Sequence, residues 1–164
     1  TDTGNFQYSN TTKESHLIAA ALYDSGIDHA GIAVKLYQNT SLEKLRITNK
    51  ILNGLRLFCE GRAAMAWVDQ EMLQQTGASM EDTEGSVETL RNIKGVEIAA
   101  FLKEKEAGVI KVSMRAKTDG NVAKIAEKFG GGGHVKAAGC TLRTDMETAL
   151  GQLAEAMEES LRGI

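Results

Sequence analysis

The chain has 164 residues, 42% of them hydrophobic and 25% charged, with a formal net charge of −3. Such a length suits one domain with its own core plus connecting helices, and no run approaches the roughly 18 apolar residues that span a bilayer. A net negative charge excludes a global basic field for long nucleic acid, so any bound anion must be held by a local arrangement.

In chain order, residues 1–9 alternate in part, with Phe6 and Tyr8 on one side, and read as the end of a strand. Thr11-Thr12-Lys13-Glu14 fits a capping box, and Leu17, Ile18, Ala21 and Leu22 follow at helical spacing until Gly26. A second helix is predicted after Asp28. A third, capped by Ser41, has Leu42, Leu45, Leu52, Leu55 and Phe58 as its apolar stripe. These three helices read as a connector.

The texture changes at Glu60-Gly61. Residues 63–68 are a continuous apolar run of strand length, followed by short helices over 70–75 and 86–92. Val96, Ile98, Ala100 and Leu102 alternate with their neighbours, and a second alternating strand covers 109–117 after the Glu106-Ala107-Gly108 turn, so the two predict an antiparallel hairpin. Val122, Ile125, Ala126 and Phe129 mark a helix capped by Asp119 or Asn121. Residues 138–143 read as a last strand, and Thr144-x-x-Glu147 as a capping box opening a final helix with Met146, Leu150, Leu153, Met157 and Leu161 inward. The predicted class is α/β: a mixed sheet of about four to five strands flanked by helices, preceded by the helical connector. The expected boundaries are 1–59 for the connector region and 60–164 for the domain.

Two features carry chemistry. Gly130 to Gly133 followed by His134 lets the backbone approach a ligand closely and adds a donor that charges near neutral pH. Neither a Walker A ending nor GxGxxG after a strand is present. The plainer reading of such a run is a flexible turn or a helix cap. In 109–117, Ile110, Val112, Met114 and Ala116 suit a core, while Lys111, Ser113, Arg115 and Lys117 form a row of cations and a hydroxyl. Arg115 matches phosphate oxygens bidentately; a solvated sheet face is the plainer alternative. Cys59 and Cys140 lack CxxC or Cys/His spacing and read as reduced, buried thiols of a cytosolic protein. The polar first ten residues contain no signal-peptide core. Beginning without Met, the chain reads as a piece of a longer protein.

Ser113-Met-Arg115-Ala-Lys117, followed by the segment from Lys128 through Gly130–Gly133 and His134 to Gly139, resembles the DHH-associated domain of the DHH phosphoesterase superfamily. Asn92 to Ala100 resembles the strand entering that domain. Thr1-Asp-Thr-Gly-Asn-Phe6 and Ser9 to Thr12 resemble the last metal-binding motif of the catalytic domain. The combination is most similar to bacterial cytoplasmic nanoRNases, which also act as 3′-phosphoadenosine 5′-phosphate (pAp) phosphatases.

The resemblance implies that the parent is a two-metal phosphoesterase, usually manganese-dependent, acting on short RNA or a small phosphorylated nucleotide. In it Asp2 would be one metal ligand, Arg115 and His134 would grip the substrate phosphate, and Gly131, Gly132 and Gly133 would form a backbone cradle. Ser113 would support that cradle, with Lys117 and Lys136 as weaker candidates. The Asp-His-His motifs that complete the metal site are not in this sequence, so the chain by itself is expected to be inactive and to bind no metal, and no catalytic residue is assigned in it. His16 and His29 read as ordinary helix residues. Expected partners are short RNA or a phosphorylated nucleotide, with no membrane and with homodimerisation left open. Alternatives are a cyclic dinucleotide phosphodiesterase of the same superfamily, a non-catalytic RNA-binding module, and an α/β interaction domain.

Overall fold

A computed structural model describes residues 3–7 and 10–163. The chain divides into two compact units, residues 1–40 and 41–164. In the first unit, α1 (Lys13–Asp24) and α2 (His29–Tyr37) form as expected, the latter capped by the Asp28 carboxylate, which accepts from Gly31 N–H. The cap of α1 differs from expectation: Thr12 rather than Thr11 is the N-cap, and Ser15 rather than Glu14 closes the box. Residues 3–7 are turn, not strand; the rest of the expected strand, Tyr8 included, lies outside the described residues. His16 stacks on Phe6 with ring centroids 4.7 Å apart, and His29 opens α2, the helix-face roles expected of both.

The second unit is a six-stranded mixed sheet in the order β1-β2-β3-β4-β6-β5 with helices on both faces. The strands are β1 (Arg56–Phe58), β2 (Ala63–Val68), β3 (Ile98–Glu106), β4 (Val109–Ala116), β5 (Gly132–His134) and β6 (Ala137–Leu142). Only β2 and β3 pair in parallel; the other ladders are antiparallel. The helices are α3 (Leu42–Asn53), α4 (Gln70–Thr76), α5 (Ser86–Arg91), α6 (Val122–Lys128) and α7 (Met146–Leu161), with a 3₁₀ turn at Glu81–Thr83.

Three expectations are corrected. The buried face of α3 is Ile47 and Ile51, while Leu42, Leu45 and Leu52 are exposed; the helix ends at Asn53, so Phe58 falls in β1 instead of on the helical stripe. The cap of α7 is Asp145, accepting from Thr148 N–H, not Thr144. The sheet has six strands where about four to five were expected; the two without a predicted counterpart, β1 and β5, have three residues each and are too short for alternation to register.

Alternation along β3 and β4 sorts side chains to two cores. Ile98, Ala100, Leu102, Val112 and Met114 face α6 and α7, whose Ile125, Leu150, Leu153 and Met157 close that layer. Ala64, Ala66, Val68, Ala99 and Phe101 face the other way, under Ile47, Ile51, Leu73, Val87 and Leu90 from α3, α4 and α5. That second layer lies mainly over β2 and β3, with α5 also reaching the Arg115 end of β4. On the same face, the rest of β4, β6 and β5 remain open: burial alternates along β4 and β6, and β5 is exposed throughout.

Candidate phosphate-binding face

Register places the expected residues on the open half-face. Directly opposed residues in antiparallel ladders point to the same side. Arg115 pairs with Ala137, and Ala137 with His134, so Arg115 and His134 stand in one row on one side of the sheet. Two interstrand steps put their backbones about 10 Å apart, a gap that two long side chains can close around a phosphate from opposite sides. The next row is Ser113, Gly139 and Gly132. Its floor carries nothing larger than a hydroxymethyl group. A depression of about 390 Å³ opens beside this floor, lined by Ser113, Gly130, Gly131, Gly139 and Thr141 among others.

Arg115 is held in place by groups of the chain itself. Its Nε donates to Glu88 Oε1 at 3.0 Å and one Nη donates to Met114 O at 3.0 Å, with the two side chains 29% and 33% exposed. Two of its five N–H donors are thus used, and the fork keeps donors for an anion. Glu88 lies on α5, between Val87 and Leu90, which are buried against β3. No local sequence pattern announces this partner.

Only half of the glycine run is irregular: Gly130 and Gly131 link α6 to the sheet, and the other two glycines are strand. Gly130 ends α6 with φ +68°, and Gly132 and Gly133 form β5 with His134 at the edge of the sheet. A Cβ on Gly131 would stand 2.2 Å from Gly139 O, and one on Gly133 would stand 2.6 Å from Ala137 O with φ at +145°. Both glycines are required by close backbone packing. Gly132 meets nothing within 4 Å, so its missing side chain leaves space above the floor.

The weaker candidates have structural duties. Lys117 Nζ donates to Ile93 O at 3.0 Å. Lys136 Nζ donates to Thr118 O and, at 3.0 Å, to Gly120 O, tying the β5–β6 turn to the β4–α6 connection. The same connection is gripped from the other side by Glu97, which sequence inspection missed. Its carboxylate accepts from the backbone N–H groups of Thr118, Asp119 and Gly120 and from the Thr118 hydroxyl, at 2.7–2.8 Å. Partial burial raises the Glu97 pKa, but these bonds outweigh it and hold the group below the ordinary glutamate value. Cys140 points to the closed side of the sheet, where burial pushes its thiol up to about 11.

Among the described residues, no group of three or more His, Cys, Asp or Glu is placed to hold a metal ion. Asp2, the one expected metal ligand, lies outside the described residues. No described helix is long and apolar enough to cross a membrane.

Residues 61–163 match the DHHA1 domain family. The chain is 35% identical over 162 residues to the bifunctional oligoribonuclease and PAP phosphatase NrnA of Thermus thermophilus, covering 98% of this chain and 48% of that protein. The protein of the same name from Bacillus subtilis is 28% identical over 142 residues, with 86% and 44% covered. The chain therefore spans about half the length of the curated relatives it matches. A solved structure, an exopolyphosphatase-related protein from Bacteroides fragilis, superposes with a TM-score of 0.87 at 30% identity, covering 96% of this chain and 46% of the other.

Proposed function

The chain belongs to the DHHA1 domain family, and from that membership we propose that residues 41–164 bind and position the phosphate of a short oligoribonucleotide or of pAp for a phosphoesterase reaction. The observation that carries the reading is the single row of Arg115, Ala137 and His134 on the open half-face of the sheet, with Arg115 pre-held by Glu88. Arg115 supplies the fork to the phosphate oxygens. His134 donates from the opposite side of the row, and the Ser113 hydroxyl and Gly132 backbone line the floor between. The small side chains there let a sugar-phosphate backbone lie close to the strands. The named activities of the relatives, an oligoribonuclease and a PAP phosphatase, supply the substrate class.

Positioning of this kind acts by holding the reacting phosphorus in place rather than by bond chemistry. The manganese pair expected for such a reaction does not fit the described residues, and no step of metal chemistry is assigned to them. Its ligands would come from other residues, Asp2 included. The 164-residue chain with manganese is accordingly expected to turn over neither pAp nor a dinucleotide.

Equilibrium binding of pAp to the chain tests the reading. Arg115→Ala should weaken binding at least tenfold, in line with the loss of a bidentate charge-assisted contact. Unchanged affinity in a variant that melts normally refutes it.

A further inference from the structure

The open half-face has a second cationic position that the proposed phosphate grip does not use. Lys111 lies on β4 two residues beyond Ser113 and four from Arg115, with its side chain on the same face. It is exposed and stands directly opposite Lys103 across the β3–β4 ladder. Like charges in that arrangement destabilise a sheet. Lys103 is part-buried, its Nζ 5.8 Å from the Phe101 ring centroid and within the electrostatic reach of Glu84 and Glu88. The acidic groups on that side therefore serve Lys103 and Arg115, and Lys111 is left facing the open floor. On its other side Lys111 pairs with Thr141, which adds a hydroxyl to the same row.

At a strand rise of about 3.3–3.4 Å per residue, the backbones of Lys111 and Arg115 are roughly 13 Å apart along β4, a gap that their long side chains can narrow to the shorter spacing of two phosphates on one ribose by leaning over the floor. Ser113 and Gly139 lie between them and carry no charge. Two cationic rows thus flank a flat, small-residue floor. Resting on the proposed phosphate-binding role of Arg115, we infer that Lys111, with Thr141, forms a second phosphate subsite, so that the face recognises two phosphates bridged by one ribose. That chemistry is shared by a free nucleoside 3′,5′-bisphosphate and by a strand with consecutive phosphodiesters. A nucleoside 5′-monophosphate has only one of the two groups.

The test measures binding of adenosine 5′-monophosphate, pAp and the dinucleotide pApA to the wild-type chain, Lys111→Gln and Arg115→Ala. Lys111→Gln is expected to weaken pAp and pApA roughly five-fold, the size of one partly solvated charge contact, and to leave the monophosphate unchanged. For pApA the log–log salt slope should also fall by about 0.7. Loss confined to pAp identifies the free bisphosphate as the ligand, and loss confined to pApA identifies the strand. Equal loss for all three ligands, loss for the monophosphate alone, or no loss for any overturns the second subsite. The phosphate grip fails separately if Arg115→Ala binds the monophosphate as well as wild type does. Because Lys111→Gln also removes the repulsion from Lys103, the variant should melt no lower than wild type, which separates lost binding from lost fold.

Discussion

Alanine at two successive glycines, Gly131 just before the edge strand β5 and Gly132 within it, should have opposite effects on stability. In Gly131→Ala the new methyl would stand 2.2 Å from Gly139 O, 2.6 Å from Cys140 Cβ and 2.7 Å from Cys140 Cα. Two of these obstacles are backbone atoms of β6, a strand paired on both sides, so no side-chain rotation relieves the contact. Relief requires the end of α6 and β5 to move away from β6, at the cost of about 2–3 kcal/mol usual for forced overpacking. For a domain of this size that is a fall of about 6–12 °C in Tm. Gly132→Ala meets nothing within 4 Å and its backbone is not in the left-handed region. Restricting the unfolded chain there should add about 0.4–1 kcal/mol and raise Tm by a few degrees. The added methyl stands over the floor beside Ser113 and should weaken pAp binding. Differential scanning calorimetry of the two variants, with pAp titrations, reads both effects. Wild-type stability in Gly131→Ala, or a lowered Tm in Gly132→Ala, would refute the assignment of Gly131 to packing and Gly132 to the open floor.

Glu97→Gln exchanges a charged acceptor of four hydrogen bonds for a neutral amide and should cost about 1–3 kcal/mol, measured by urea denaturation. Because the folded-state pKa of Glu97 is depressed, its contribution is present above the ordinary glutamate value of 4.5 and is lost as pH falls through the lower folded value. Wild type should therefore lose more stability than Glu97→Gln on acidification below pH 4.5, and parallel curves would contradict this. Lys136→Met should destabilise by about 1–2 kcal/mol through the freed Thr118 and Gly120 carbonyls, with pAp affinity reduced less than twofold; a larger binding loss would return Lys136 to the ligand site. Cys140, with its thiol near 11, should resist iodoacetamide at pH 8 in the native protein and react readily in urea. Fast native labelling would place it in a more open environment.

Much of this architecture is legible in one dimension because its signals are local. Period-two alternation marks β3 and β4, a short apolar run marks β2, and the spacing of Val122, Ile125 and Ala126 marks α6. The same alternation already separates Lys111, Ser113 and Arg115 from the core positions between them. The caps are less legible than the helices: Thr11 and Thr12, or Thr144 and Asp145, are adjacent residues able to cap, and backbone geometry chooses between them. On α3, leucine spacing suggested one stripe, but burial selected Ile47 and Ile51, because the inward face is set by where β2 and α4 lie.

What the sequence alone determines is the set of residue types: a cationic row at strand spacing, a glycine run, and a histidine after it. Tertiary structure decides their meaning, since each pairing links residues far apart in the chain. The β4–β6–β5 register brings Arg115 and His134 into one row, and α5 brings Glu88 to Arg115. Helices α3, α4 and α5 cover chiefly the β2–β3 part of their face and the Arg115 end of β4, leaving the rest open. Close approach of β6 makes Gly131 and Gly133 packing requirements, while Gly132 faces open space. Strand register and layer coverage are non-local, so no window along the chain contains them.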